Sequence, residues 1–144
     1  MRKSRTLFIL VALATIPFLV SSQKTDKYTS LYDGYFRGEE LYINLQYGAA
    51  KKEFRDFIDR CDNYNDPLYQ KAMYYEGLSG LELYNSDAID ILTDYNRIYP
   101  ENIHRFFINY KIGNSFFQDE TYDDAELWFS KLSAGDLDLS LIHI

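Results

Sequence analysis

Apolar side chains recur three and four residues apart along most of this chain, the spacing that places them on one face of an α-helix. Leu41 and Leu45 belong to one such stripe, and Phe54 and Ile58 belong to the next. The two stripes are separated at Tyr47-Gly48. No segment of strand length alternates strictly between apolar and polar residues, so the pattern predicts an all-α fold without a sheet.

Capping residues place the helix boundaries. Asp66 followed by Pro67 predicts a helix start, with Asp66 as the N-cap, and this helix runs to about Leu83. Ser86 is expected to cap the next helix. Tyr99-Pro100 should close it, because a residue before proline resists the α conformation.

Two further helices are predicted in the last third of the chain. One spans about residues 101–118, and Thr121 caps the other, which should end near residues 133–135. Together with the earlier segments, this gives about six helices in three antiparallel pairs joined by short loops.

One spaced pattern occurs three times. Its small and bulky positions, the repeat anchors, are the glycines Gly38, Gly77 and Gly113, the alanines Ala50, Ala88 and Ala125, and the residues four after each alanine, Phe54, Leu92 and Phe129. The glycines are 39 and 36 residues apart, and the alanines 38 and 37. A period of this length indicates stacked helix pairs. The small residues permit close helix crossings, and the bulky residue fills the space beside them.

This pattern resembles the tetratricopeptide repeat (TPR), over residues 31–137 in units 31–65, 66–100 and 101–137. The unit-ending proline of that family occurs once, at Pro100. The second unit is one residue shorter between glycine and alanine, and the units exceed the usual length of about 34 residues. Longer units of this kind resemble those of exported bacterial envelope proteins, including outer-membrane assembly and Tol–Pal proteins. The resemblance implies a right-handed superhelix that binds other proteins.

Residues 1–22 have the organisation of a cleaved signal peptide. Basic residues precede an apolar run, residues 7–20, and Val20 with Ser22 suits the −3 and −1 positions of the cleavage site. A membrane anchor is the alternative, but the run is short of the roughly 20 residues that a span needs and Pro17 interrupts it. Gln23 stands where a lipoprotein needs cysteine. We therefore expect a periplasmic protein without a membrane span after cleavage, with residues 23–30 as a polar leader.

The last residues do not continue the pattern. The chain ends in the apolar segment 139–144 and offers no polar capping helix. This leads to the expectation that residues 138–144 are a non-native or truncated tail and that the sequence is a truncated gene product. An alternative function follows from this. The repeats could be the N-terminal accessory region of a longer envelope protein that carries an enzymatic or peptidoglycan-binding domain.

The composition limits the classes of partner and indicates a folded core. The net charge is −7, which does not attract nucleic acid by Coulomb force. Hydrophobic residues make up 47% of the chain, enough for a folded core, and aromatic residues make up 17%. Cys61 is the only cysteine, so no internal disulfide can form, and we expect a structural buried thiol.

The TPR resemblance implies a concave groove lined by the first helix of each unit. Its candidate partner-binding residues are Tyr32, Tyr35, Glu39, Tyr42, Tyr74, Leu78, Leu81, Phe107, Tyr110, Asn114 and Phe117. Rigid aromatic side chains dominate interface energies, so the expected partners are other envelope proteins or peptide segments. The alternative is that several of these side chains pack between helices.

No catalytic or cofactor site is predicted. Gly77-Leu-Ser79-Gly80 lacks the second-glycine spacing of a nucleophile elbow and suits a close helix crossing instead. His104 follows Pro100 and is expected to be solvated, without a partner for general-base chemistry. Acidic residues 119–126 lack a calcium-loop frame, and Asp123 and Asp124 suit a helix start. The sequence therefore favours a non-catalytic protein-interaction scaffold without a metal or other cofactor.

Overall fold

The structure is a computed structural model that describes residues 30–132. These residues form six helices and no strand, which confirms the all-α prediction. The helices are α1 (residues 30–43), α2 (Tyr47–Arg60), α3 (Pro67–Glu82), α4 (Ala88–Ile98), α5 (Arg105–Gln118) and α6 (Tyr122–Phe129). The predicted signal peptide and the tail, residues 138–144, lie outside the described residues.

Two helix boundaries follow the sequence closely. The Asp66 carboxylate accepts a hydrogen bond from the Leu68 amide at 2.8 Å, and Pro67 occupies the first position of α3. Helix α4 ends at Ile98, directly before Tyr99-Pro100. These predictions succeeded because proline and an N-cap act through the local backbone alone.

The starts of α4 and α5 differ from the predictions. Helix α4 begins at Ala88 with Asp87, not Ser86, at the N-cap, and Asp87 forms an ion pair with Lys51 instead of capping an amide. Helix α5 begins at Arg105, four residues later than expected. The Asn102 side chain donates to the Tyr99 carbonyl at 2.6 Å, a local bond that competes with helical pairing.

The last helix is shorter than predicted. Helix α6 ends at Phe129, before residues 133–135, which lie outside the described residues. Thr121 occupies the N-cap position, but its hydroxyl donates to the Phe116 carbonyl at 2.9 Å and leaves the first-turn amides uncapped.

Consecutive helices pack as three pairs, α1–α2, α3–α4 and α5–α6, called units one, two and three below. In each unit the anchor glycine of the first helix lies against the bulky anchor of the second. A Cβ atom added to Gly38 would lie 2.9 Å from the Phe54 ring, and one added to Gly77 would lie 2.6 Å from Leu92. Gly113 repeats the contact with Phe129 at 2.6 Å. The three anchor alanines are buried, at 2% exposure or less.

Units one and two are each covered by the first helix of the next unit. Leu68, Tyr69 and Ala72 of α3 pack into the core of unit one, where the Tyr75 ring stacks on Phe54 with centroids 5.5 Å apart. Ile108 and Ile112 of α5 pack against unit two, beside Leu78, Leu92 and Tyr95. The expected stacked array of helix pairs is therefore present in the described chain.

Polar contacts also join the units. Lys51 pairs with Asp87 at 2.7 Å, and Lys111 of α5 pairs with Glu82 of α3 at 2.6 Å. Glu76 is buried and pairs with Arg55. Burial raises the pKa of Glu76 above its usual value, and the opposing attraction of Arg55 does not compensate for it.

The glycine contacts give a direct stability prediction. Gly77→Ala should lower the free energy of unfolding by about 1 kcal/mol or more, because overpacking against Leu92 outweighs the gain in helix propensity. Gly48→Ala in α2 is the matched control. Nothing lies within 4 Å of its added Cβ, so it should stabilise the protein by about 0.5–1 kcal/mol. Urea unfolding followed by circular dichroism measures both, and equal stabilisation would contradict the close crossing.

Candidate partner-binding surface

Each of the three units has a tyrosine at the same repeat position. Tyr35, Tyr74 and Tyr110 each stand three residues before the anchor glycine. Their exposed fractions are 0%, 8% and 45%. Equivalent residues are therefore buried in units one and two and open in unit three.

The following unit accounts for this difference. Tyr35 lies in the core cluster that Ala72 of α3 completes. Tyr74 lies beside Ile108 and Ile112 of α5, and its ring stacks on His104 with centroids 4.2 Å apart. In the described part of the chain, no further helix pair follows unit three. Tyr110 therefore keeps the exposure that its two counterparts have lost.

Three predicted groove residues are consequently core residues. Tyr35, Tyr74 and Leu78 are at most 8% exposed and pack between helices, so the alternative interpretation applies to them. The Tyr35 hydroxyl donates to Glu39 at 3.0 Å. Burial raises the pKa of both tyrosine hydroxyls well above the ordinary value, which keeps them neutral.

Other predicted residues are half-buried between units. The Tyr32 hydroxyl donates to Asp66 at 2.7 Å, across the first junction. Tyr42 packs on Tyr75 with centroids 4.9 Å apart, and burial raises its pKa to about 12. Glu39, Leu81 and Asn114 are also half-buried. Tyr32 and Tyr42 join neighbouring helices, and all five side chains expose only part of their surface.

The remaining predicted residues are exposed aromatic side chains that lie on one surface of unit three, beside the half-buried Asn114 and Phe129. This surface is called the end face here. It comprises Phe107, Tyr110, Asn114 and Phe117 of α5 together with Phe129 of α6. Phe107 and Phe117 are 39% and 55% exposed, and the Tyr110 and Phe129 rings lie 6.3 Å apart. Exposed clusters of large aromatic side chains are frequent at protein interfaces.

A small cavity of about 80 Å³ lies between α3 and α5. Two of the predicted groove residues, Leu81 and Asn114, line it together with the Lys111–Glu82 ion pair. Its volume is enough for a few water molecules and too small for a large side chain.

A larger cavity of about 360 Å³ lies between α4, α5 and α6, and sequence reasoning missed it. Arg97, Arg105, Lys131 and Trp128 are among its lining residues. These residues are far apart in the chain and show no motif. The sequence did contain one signal. At two repeat positions where the preceding unit has an apolar residue, a polar residue stands instead.

The residues that were considered for catalysis are buried or packed against other side chains. Ser79 is fully buried, and its hydroxyl has no hydrogen-bond partner within residues 30–132. Gly80 lies against Ala88, so this segment is a close helix crossing as expected. His104 is half-buried on Tyr74, which corrects the expectation that it is solvated. Cys61 is buried, as predicted.

Metal sites and membrane spans were also considered over the part of the chain that the structure describes. Within the described chain, no three His, Cys, Asp or Glu residues are grouped so that they could hold a metal ion. None of its helices is both long and apolar enough to cross a bilayer.

Comparison with known proteins gave no relative. No protein-family model, curated protein or solved structure matches the chain. The TPR resemblance therefore rests on the residue pattern and remains a prediction.

The different burial of the equivalent tyrosines predicts different effects of their substitution on the free energy of unfolding. Tyr74→Ala should lower the free energy of unfolding by about 3 kcal/mol, because it leaves a cavity in the core. Tyr110→Ala should cost less than about 1 kcal/mol, because its side chain is already open to water. Urea unfolding of both variants measures the difference. A similar loss at the two positions would mean that the end face is covered in solution.

Proposed function

We propose that this chain is a non-catalytic protein-interaction scaffold of the TPR type in the bacterial cell envelope, and that its end face binds an amphipathic helix of a partner protein. The observation that carries the proposal is the exposure of Tyr110, whose counterparts Tyr35 and Tyr74 are both covered by a helix.

The end face closely matches the surface of unit one that α3 covers. Phe107, Tyr110, Phe117 and Phe129 stand at the repeat positions of Tyr32, Tyr35, Tyr42 and Phe54. Four aromatic side chains in the same register favour the same kind of ligand. The helix α3 therefore provides a template for the partner.

That template specifies an apolar stripe. Helix α3 contacts unit one through Leu68, Tyr69, Ala72 and Tyr75, which lie at i, i+1, i+4 and i+7. The small residue at the centre, Ala72, is fully buried and allows close approach. A partner helix should have a small residue at this position, flanked by aromatic or large aliphatic residues.

The end face differs from the surface of unit one in its charge, and the partner should therefore differ from α3 in charge. Lys51 follows the anchor alanine of unit one and pairs with Asp87, whereas Glu126 stands at that position in unit three. An acidic residue there favours a basic one on the partner. The acidic net charge of the chain, −7, favours basic or neutral partners in the same way.

The proposed binding can be measured with a fluorescently labelled peptide of the α3 sequence, residues 67–82, that carries Glu76→Lys. In the protein Glu76 is attracted by Arg55 and Lys51, whereas unit three has Ser130 and Glu126 at those positions. The full chain should bind this peptide saturably, as followed by fluorescence anisotropy. Tyr110→Glu should weaken binding by about tenfold or more, because a charge would be buried in the contact.

Leu127→Glu in α6 is the matched control. Leu127 is 57% exposed, and its counterparts Lys52 and Asp90 are exposed charged residues, so it lies outside the end face. This variant should bind as the wild type does. Equal weakening by both variants, or no binding to the wild type, would contradict the proposal.

The envelope location has its own test. Residues 1–22 support export, so expression in a Gram-negative host should give a periplasmic protein beginning at Gln23, as measured by mass spectrometry of the intact chain. Leu13→Arg breaks the apolar run and should keep the precursor in the cytoplasm. A wild-type chain that retains residues 1–22 in the cytoplasm would contradict this part of the proposal.

A further inference from the structure

The cavity between α4, α5 and α6 is lined by cationic and amide side chains. Its volume is about 360 Å³, and its lining residues are Thr93, Asn96, Arg97, Arg105, Asn109, Trp128 and Lys131. Three of the seven are cationic and none is acidic, although the chain as a whole carries a net charge of −7. The local charge is therefore opposite to that of the protein.

The two arginines retain hydrogen-bond donors. Arg97 pairs with Asp94 at 2.7 Å, and both side chains are largely exposed. Arg105 donates through one nitrogen to the Asn96 carbonyl at 3.1 Å. A guanidinium has five N–H donors, so each arginine can still bind an oxygen in the cavity.

A chain of amide side chains leads into the same space. Asn102 donates to the Asn96 side-chain oxygen at 3.1 Å, and Asn96 donates in turn to the Asn109 oxygen at 3.4 Å. Asn109 is only 7% exposed and lines the cavity. Because its oxygen already accepts, its NH₂ group is the part left to bind a ligand, and no described residue accepts from it.

The preceding units have apolar residues at the positions of two of these amides. Asn96 stands eight residues after its anchor alanine, where unit one has Ile58. Asn109 stands four residues before its anchor glycine, where unit two has Met73. Ile58 is half-buried against the first core cluster, and Met73 is half-buried against the second. At both positions an apolar side chain of the preceding unit is thus replaced by an amide, and the second junction keeps an open cavity.

We infer that this cavity binds a small oxyanion, a carboxylate or phosphate group, through Arg97, Arg105, Lys131 and the Asn109 amide. Every polar side-chain group named is a donor, which suits a ligand that only accepts. Trp128 forms an apolar wall, with the Lys131 ammonium 3.2 Å from its ring centroid. This site is separate from the proposed helix binding at the end face and does not depend on it.

Lys131 is partly desolvated at the edge of the cavity. Burial lowers the pKa of the Lys131 amine, because no carboxylate in the described chain offsets its loss of hydration. A bound oxyanion beside it would act in the opposite direction.

The single tryptophan makes the test specific. Trp128 is the only tryptophan of the chain and lines the cavity, so its fluorescence reports on this site. The full-length protein should show a saturable change in emission with inorganic phosphate or with succinate, but not with sodium chloride at the same ionic strength. A response to only one of the two oxyanions would identify the preferred group.

Two variants and a control complete the experiment. Arg105→Gln should weaken the response by about tenfold, the effect of losing one charge-assisted contact. Asn96→Ile combined with Asn109→Met places at each position the apolar residue of the preceding unit, so it should fill the cavity and abolish the response. Its thermal unfolding should show that it remains folded. Lys52→Gln removes an exposed charge outside the cavity and should respond like the wild type.

Two outcomes would overturn the inference. One is a wild-type protein whose emission changes no more with phosphate and succinate than with chloride. The other is a response that persists unchanged in the folded double variant.

Discussion

The contact between an anchor glycine and the bulky residue of the next helix sets the geometry on which the rest of the structure depends. It occurs at Gly38 with Phe54, at Gly77 with Leu92 and at Gly113 with Phe129. A side chain at the glycine would collide with the ring or leucine, so the two helices can pack at this distance only where it is missing. Because the contact has the same register in each unit, the three helix pairs present similar surfaces for a further helix to cover.

The stacking of the units then determines which of the equivalent side chains are exposed to solvent. Tyr35 and Tyr74 are buried by the next unit along the chain, and Tyr110 remains open. A core residue and a candidate binding residue thus occupy the same repeat position. The apolar surface that joins units one and two has its counterpart still exposed on the end face, which is why we propose a helical partner there.

The two junctions between units differ in chemistry. The first has the half-buried Ile58 packed against its core and is crossed by two ion pairs, Arg55 with Glu76 and Lys51 with Asp87. The second has Asn96 at the repeat position of Ile58 and Asn109 at the repeat position of Met73, and it keeps a cavity lined by cations. A stacked array can change one junction in this way because each unit packs mainly on its neighbours.

The sequence by itself determined the helices, their pairing and the glycine crossings. These depend on local period, on Asp66-Pro67 and Tyr99-Pro100, and on residue size, all of which can be read along the chain. It misplaced the start of α5, where a side-chain bond of Asn102 competes with the helix. Only the tertiary structure decided which of three equivalent tyrosines is exposed and that the cationic cavity exists. Exposure depends on the element that covers a residue, and a cavity depends on side chains brought together from separate helices.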